Sequence, residues 1–298
     1  MNKDICQIIA GYVANKRYKL HNWIDKERLN WDLLSSNPNA LELLMENPEK
    51  INWRLLSSNQ NPDVIRILKT KFRKINWFSL SANNSTIKLL KENPRKIRWG
   101  GLSANTNPEA IEILKANPEK IIWYNLSLNS NPDAIKLLKA NPEKINWYSL
   151  SYNSNPEAVE LLKANPTMIN WYALSANPNP EAIKLLKANL DKIDWYHLSL
   201  NEGSGAIQIL KENPNNIDWL GLCSNISTRA IEILKANPEK IDWNILSLNK
   251  NPEAMKLLKA NQDKIDYHLF SANPNIFYEY KEVDKVYKTI EIIFDVYK

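Results

Sequence analysis

Apolar residues recur along this chain in one fixed figure, and the stretch Asn141 to Asn165, NPEKINWYSLSYNSNPEAVELLKAN, shows it whole. An aromatic residue stands at Trp31, Trp53, Trp77, Trp99, Trp123, Trp147, Trp171, Trp195, Trp219, Trp243 and Tyr267, at steps of 24 residues with two steps of 22. Ile lies two positions before it (Leu29 in the first unit), Leu three after (Phe270 in the last), then Ser (only Cys223 departs), and an Asn six after it in all eleven units, from Asn37 to Asn273. A second cluster, Ala158, Val159, Leu161 and Leu162 in this unit, falls on one face of a helix, with Glu160 and Lys163 on the other. Self-similarity at such a period is the mark of a repeat array, in which each unit packs chiefly on its neighbours.

Two helices per unit follow from the capping residues. Asn155 followed by Pro156 opens the longer one, because Asn accepts from orphan N–H groups and Pro lacks the N–H that would be unpaired at N1. Asn165-Pro166 closes it, since the residue before proline is pushed out of the α region. The shorter helix, Trp147 to Tyr152, takes Asn146 as its N-cap. An Asn or Asp holds that place in nine of eleven units, Arg98 and Ile122 being the exceptions. So short a segment is expected to wind either as α or as 3₁₀, and Asn153 to end it in a left-handed conformation.

The two 22-residue units lack residues between the recurring Asn and the Leu-Leu stripe, so the deletion falls in a loop. In the units of Trp195 and Trp219 the Asn-Pro-Glu start becomes Gly203-Ser204-Gly205 and Ser227-Thr228-Arg229, with Ser227 still expected to cap.

The predicted fold is therefore all-α: an α-solenoid of eleven helix-turn-helix units. Residues 1–30 read as an N-terminal helical cap, 31–273 as the solenoid and 274–298 as a C-terminal helical cap. The cap helices rest on Ile5, Ile8, Ile9, Tyr12 and Val13 at one end and on Val283, Val286, Tyr287, Ile290, Ile293 and Phe294 at the other. At 8–10 Å per packed helix, eleven units predict an elongated rod or arc on the order of 100 Å along its path. The Trp column is expected in the core, and the Asn column as a hydrogen-bonded ladder.

Composition adds limits. The chain is 44% hydrophobic and 24% charged, with no apolar run of membrane-spanning length, so no membrane partner is expected. Its start lacks the apolar run and cleavage site of a secretory signal, so secretion is not expected. Cys6 and Cys223 have no CxxC partner, and His21, His197 and His268 are scattered, so neither a metal, a cofactor nor a catalytic constellation is indicated. The net charge of +6 reads as a slight excess diluted over eleven units.

Two surface columns are candidates for partner binding: Lys115, Lys139, Lys163 and Lys187 at the ends of longer helices, and Tyr124, Tyr148, Tyr172 and Tyr196. Tyr suits a protein contact; Lys with Tyr also suits nucleic acid, phosphates on one and bases on the other, although interleaved carboxylates oppose it.

The unit NPxKIxWxxLSxNxNPxAIxLLKA resembles the short repeats in proteins of large DNA viruses of amoebae and algae, the mimivirus-like viruses, over residues 20 to 277. YKLHNWID and LFSANPNIF look like that family's entry and exit. In layout the unit is also similar to the leucine-rich variant repeat. The resemblance implies a viral protein in the host cytoplasm and brings no catalytic residues. The expectation is a non-enzymatic scaffold engaging a host or viral protein. The alternatives are nucleic-acid binding and a structural part of a virion or viral factory, self-associating through its caps. An F-box-like role for residues 1–20 is opposed by the missing Leu-Pro opening.

Overall fold

The computed structural model describes residues 17–280. The helices expected over Ile5 to Val13 and Val283 to Phe294 lie outside the described residues. Between them the all-α solenoid is present, each unit stacked on the next.

A unit has three helical pieces rather than two. The Trp segment is α-helical, as in Trp147–Tyr152, and its longer companion is Pro156–Ala164. Of the two windings open to the Trp segment α is the one observed, and 3₁₀ winding is found at Pro142–Lys144, where a Pro-led turn of three residues joins the long helix to the next short one. All nine Asn and Asp residues before the aromatic accept from a backbone N–H in the first turn, Asn146 from Ser149 and Asp194 from His197 at 2.9 Å each, which supports an α turn in so short a segment. Arg98 and Ile122 make no such bond, and their helices form without it. Nor does Ser227, contrary to expectation, cap with its side chain; its helix, Thr228–Ala236, is held by packing. In the 22-residue units the long helix is cut to six residues, Leu41–Glu46 and Ile87–Glu92.

The Asn column is not left-handed. Asn153 has φ −70° and ψ 116°, and no non-glycine residue described has positive φ. Its side chain does the work expected of a left-handed turn. Nδ2 donates to the carbonyls of Ser127 and Asn129 in the preceding unit at 2.9 and 3.0 Å, and Oδ1 accepts from the Asn155 N–H at 3.0 Å. The Ser column runs beside it: Ser127 Oγ donates to the Trp123 carbonyl and accepts from the Asn146 N–H. Both ladders tie each unit to the next through buried polar groups that would be costly to leave unpaired.

These ladders have no ends. Asn37, in the first unit, donates to the carbonyls of Ser271 and Asn273 in the last, at 3.1 and 3.0 Å, and the Asn30 N–H donates to Ser271 Oγ at 2.7 Å. The elongated rod is thus corrected to a closed ring, in which unit one stacks on unit eleven with the bonds that join any other pair. A rotation of roughly 33° per unit, a full turn shared by eleven, suffices to close it.

Outside the repeats, strand β1 (Arg17–Leu20) pairs antiparallel with β2 (Phe277–Tyr280) across the seam, Tyr18 opposite Glu279. Trp23 packs against Phe270, and the Arg28 guanidinium stacks on Tyr267 at 3.7 Å. Within the described residues the two flanks form a clasp of paired strands and the 3₁₀ turns Lys26–Arg28 and Pro274–Ile276.

Neighbouring short helices approach far more closely than neighbouring long ones, which places the short helices on the inner wall and the long ones outside. Contact is tightest at glycine: a Cβ on Gly101 would sit 2.7 Å from the Phe78 carbonyl oxygen, and one on Gly221 2.8 Å from that of Tyr196. Eleven short helices spaced 8–10 Å apart put opposite axes roughly 30 Å apart. Subtracting one helix diameter leaves an opening of roughly 20 Å.

Candidate functional site on the inner face

The opening is lined from the first turn and a half of each short helix. With the aromatic residue anchored toward the core, the residues one and five places after it share the solvent face, four apart. Read around the ring from unit three to unit ten, these pairs are Phe78 and Ala82, Gly100 and Ala104, Tyr124 and Leu128, Tyr148 and Tyr152, Tyr172 and Ala176, Tyr196 and Leu200, Leu220 and Ser224, and Asn244 and Leu248. Eight consecutive units thus present a face without one charged side chain. Only Asp32 and Arg54, and His268 at the seam, interrupt it.

The four tyrosines expected to bind a partner all stand on this face, between 39% and 49% exposed. Phe78, Leu128, Leu220 and Leu248 extend the apolar surface and were not singled out from sequence. The signal was available, since they occupy the same two repeat positions, but only the tyrosines look like a column. Between the tyrosines His197 is buried. Its ring centroid is 3.8 Å from that of Tyr172 and 5.1 Å from that of Tyr196, and its Nδ1 lies 2.7 Å from Asp194 Oδ1. Tyr152 packs edge-on against Tyr148, and burial raises its phenol pKa, so it stays neutral. The cluster is a fixed aromatic wall.

The candidate lysines are elsewhere. They end long helices on the outer wall and bind carboxylates of the next unit: Lys115 to Asp133, Lys139 to Glu157 at 2.5 Å, Lys163 to Glu181 at 2.8 Å and Lys187 to Glu212 at 3.5 Å. The hydrogen bond from Lys139 lowers the Glu157 pKa, and the one that Lys163 donates to Glu181 raises the Lys163 pKa. The other Lys column lies over the tryptophans, as Lys144 over Trp123 at 4.9 Å and Lys192 over Trp171 at 4.6 Å. The tryptophans are half-buried, not sealed in the core, and Trp31, Trp53, Trp123, Trp171 and Trp243 lie under such a lysine. The structure does not bring the Tyr and Lys columns together.

Among the described residues no group of His, Cys, Asp and Glu could hold a metal ion, and no helix is long and apolar enough to cross a membrane. Fold and site together define a closed ring of helical repeats whose inner face is aromatic and apolar, without a charged side chain over eight consecutive units. No family model, curated protein or solved structure matches the chain.

Proposed function

We propose that this protein is a non-enzymatic binding ring that engages another protein through its inner face, receiving an apolar helical segment of that partner. The observation that carries this reading is the uncharged, tyrosine-lined wall running through eight neighbouring units. Exposed apolar surface of this extent is a mark of binding, and rigid tyrosines supply contact area at little entropic cost. An α-helix with its side chains, about 10–12 Å across, fits an opening of roughly 20 Å. The resemblance to repeat proteins of large DNA viruses supports a host or viral partner met in the host cytoplasm.

A photo-crosslinking amino acid at position 172, on the wall, and at position 136, on the outer helices, tests the reading. In cells, position 172 should capture a defined protein through an apolar helix of that protein, mapped by mass spectrometry, and position 136 should not. Equal capture from both positions, or a purified chain that turns over a substrate, would overturn it.

A further inference from the structure

The positive charge of this chain is not diluted around the ring. Residues 50–99 hold twelve Lys and Arg against only Asp63 and Glu92, a net +10 in a chain whose total is +6. Much of this excess sits at one edge. The 3₁₀ turns join outer helices to inner ones, so they lie along the same edge of the ring in every unit. Most carry an acid and a base, as Glu119 with Lys120 and Glu143 with Lys144. In two adjacent units the acid is replaced by arginine, giving Phe72-Arg73-Lys74 and Pro94-Arg95-Lys96.

Lys71 precedes the first of these turns and Arg98 follows the second, while Arg54 stands on the first turn of the neighbouring inner helix. All are exposed, and among the described residues Lys71, Arg73, Arg95, Lys96, Arg98 and Arg54 make no salt bridge, unlike the lysines of the outer wall. Two aromatic rings project among them: Phe72, 39% exposed and edge-on to Trp77 at 5.1 Å, and Phe78, 59% exposed. Beside them a cleft of about 440 Å³ opens between Met45, Trp53, Lys71 and Lys74, with Glu49 its one carboxylate.

We propose that this edge, from Lys50 to Arg98, is a docking site for single-stranded nucleic acid, which borders the inner wall at Arg54 and Phe78 and lies away from its tyrosines. Unpaired Arg and Lys at successive units track a phosphate backbone, Arg with its planar fork especially. The exposed rings of Phe72 and Phe78 offer faces on which unstacked bases lie. An acidic peptide would use the cations and leave the rings idle; a duplex would keep its bases from them.

The test is fluorescence anisotropy of the full chain with a labelled 20-nucleotide oligo(dT), the matching duplex and a poly-Glu peptide, at several salt concentrations. The double variant R73E/R95E installs the acid that Glu119, Glu143 and Glu239 supply elsewhere, so it folds, as circular dichroism would verify. Oligo(dT) should bind more tightly than duplex or poly-Glu. The double variant should lose at least about tenfold in affinity and flatten the log-log salt slope by about 1.4 or more, 0.7 for each single-strand phosphate contact removed. Tyr172→Ala, which changes only the inner wall, should leave this affinity unchanged. The proposal is overturned by absence of oligonucleotide binding at low salt, by equal binding of R73E/R95E, or by poly-Glu or duplex binding as tightly.

Discussion

Asn153 is the place to test the ladder, and Asn37 the place to test closure. Asn153 is 2% exposed; its amide donates to two carbonyls of the preceding unit and its oxygen accepts one N–H. Asn153→Asp keeps the shape and the acceptor but turns a carboxylate oxygen toward the two carbonyls. Two hydrogen bonds at about 1 kcal/mol each are lost, and the stranded buried carbonyls add about 1–3 kcal/mol apiece, so the loss is on the order of 4 kcal/mol or more. The new carboxyl, buried and facing acceptors, has a folded pKa above its unfolded value. The protonated form can donate one bond, so the stability gap to wild type should widen above that pKa and narrow as pH falls through it.

Asn37, 1% exposed, makes the same set of bonds, but with Ser271, Asn273 and Asn39. In a closed ring Asn37→Asp costs as much as Asn153→Asp. In an open array Asn37 would face water at a free end, and the cost would fall below about 1 kcal/mol. Urea unfolding of both variants at pH 7 and pH 4 measures this. A small, pH-insensitive loss at Asn37 beside a large one at Asn153 would refute the closed ring, and small losses at both would refute the ladder.

Other consequences are as direct. Cys223 stands where other units have Ser, accepting from the Asp242 N–H through Sγ at 3.3 Å, and burial raises its thiol pKa. Cys223→Ser should restore the shorter bond and raise stability by about 1 kcal/mol, read as a higher melting temperature, and the native thiol should resist alkylation. Ile122→Asn installs a missing N-cap at an exposed position and should add about 1 kcal/mol in the same assay. Gly221→Ala should cost about 1–3 kcal/mol, because the new methyl meets the Tyr196 carbonyl and Ser199 Cβ of the adjacent helix. Hydrogen bonds from Lys163 and Lys184 hold Glu181 near a pKa of about 2, and those from Lys235 and Lys256 do the same for Glu253. These depressed carboxylates stabilise the ring above their unfolded pKa of about 4.3 and lose that contribution as pH falls toward 2. Glu181→Gln should flatten the fall of the urea midpoint across that window.

What the sequence disclosed was whatever a single unit decides. The nine caps before the aromatic residue, the loop-side deletion in the 22-residue units and the Asn ladder all follow from residues within one period or its neighbour. The left-handed expectation at Asn153 failed because an Asn at a helix end has two outlets. Here its amide found the preceding unit's carbonyls, which lie 24 and 26 positions back in the chain. The Trp helix was open to α or 3₁₀ at its length, and it winds as α in the capped and the uncapped units alike. The tyrosines were legible as a column, but their separation from the lysines depends on which helix layer is inside. The basic edge was in plain sight as charge and was averaged away over the whole chain.

Closure was the least legible feature, since no residue encodes it. It is the sum of eleven small rotations, each set by how nearly two short helices touch, and glycine at 101 and 221 brings its pairs closest. An open solenoid must cover its two terminal faces with polar caps. A closed one has no such faces, which frees residues 17–30 and 274–280 to act as a clasp, Tyr18 opposite Glu279 and the His21 N–H on the Ile276 carbonyl. The clasp lies outside the repeat, so it adds to a seam that already has the full set of unit-to-unit bonds. Closure also explains why the charge arrangement can be so uneven. With every interface carrying the Asn contacts, and all but the Cys223 one the Ser contact, stability is spread around the ring, and the inner wall and the edge between Lys50 and Arg98 can depart from the common pattern without any one unit being left unsupported.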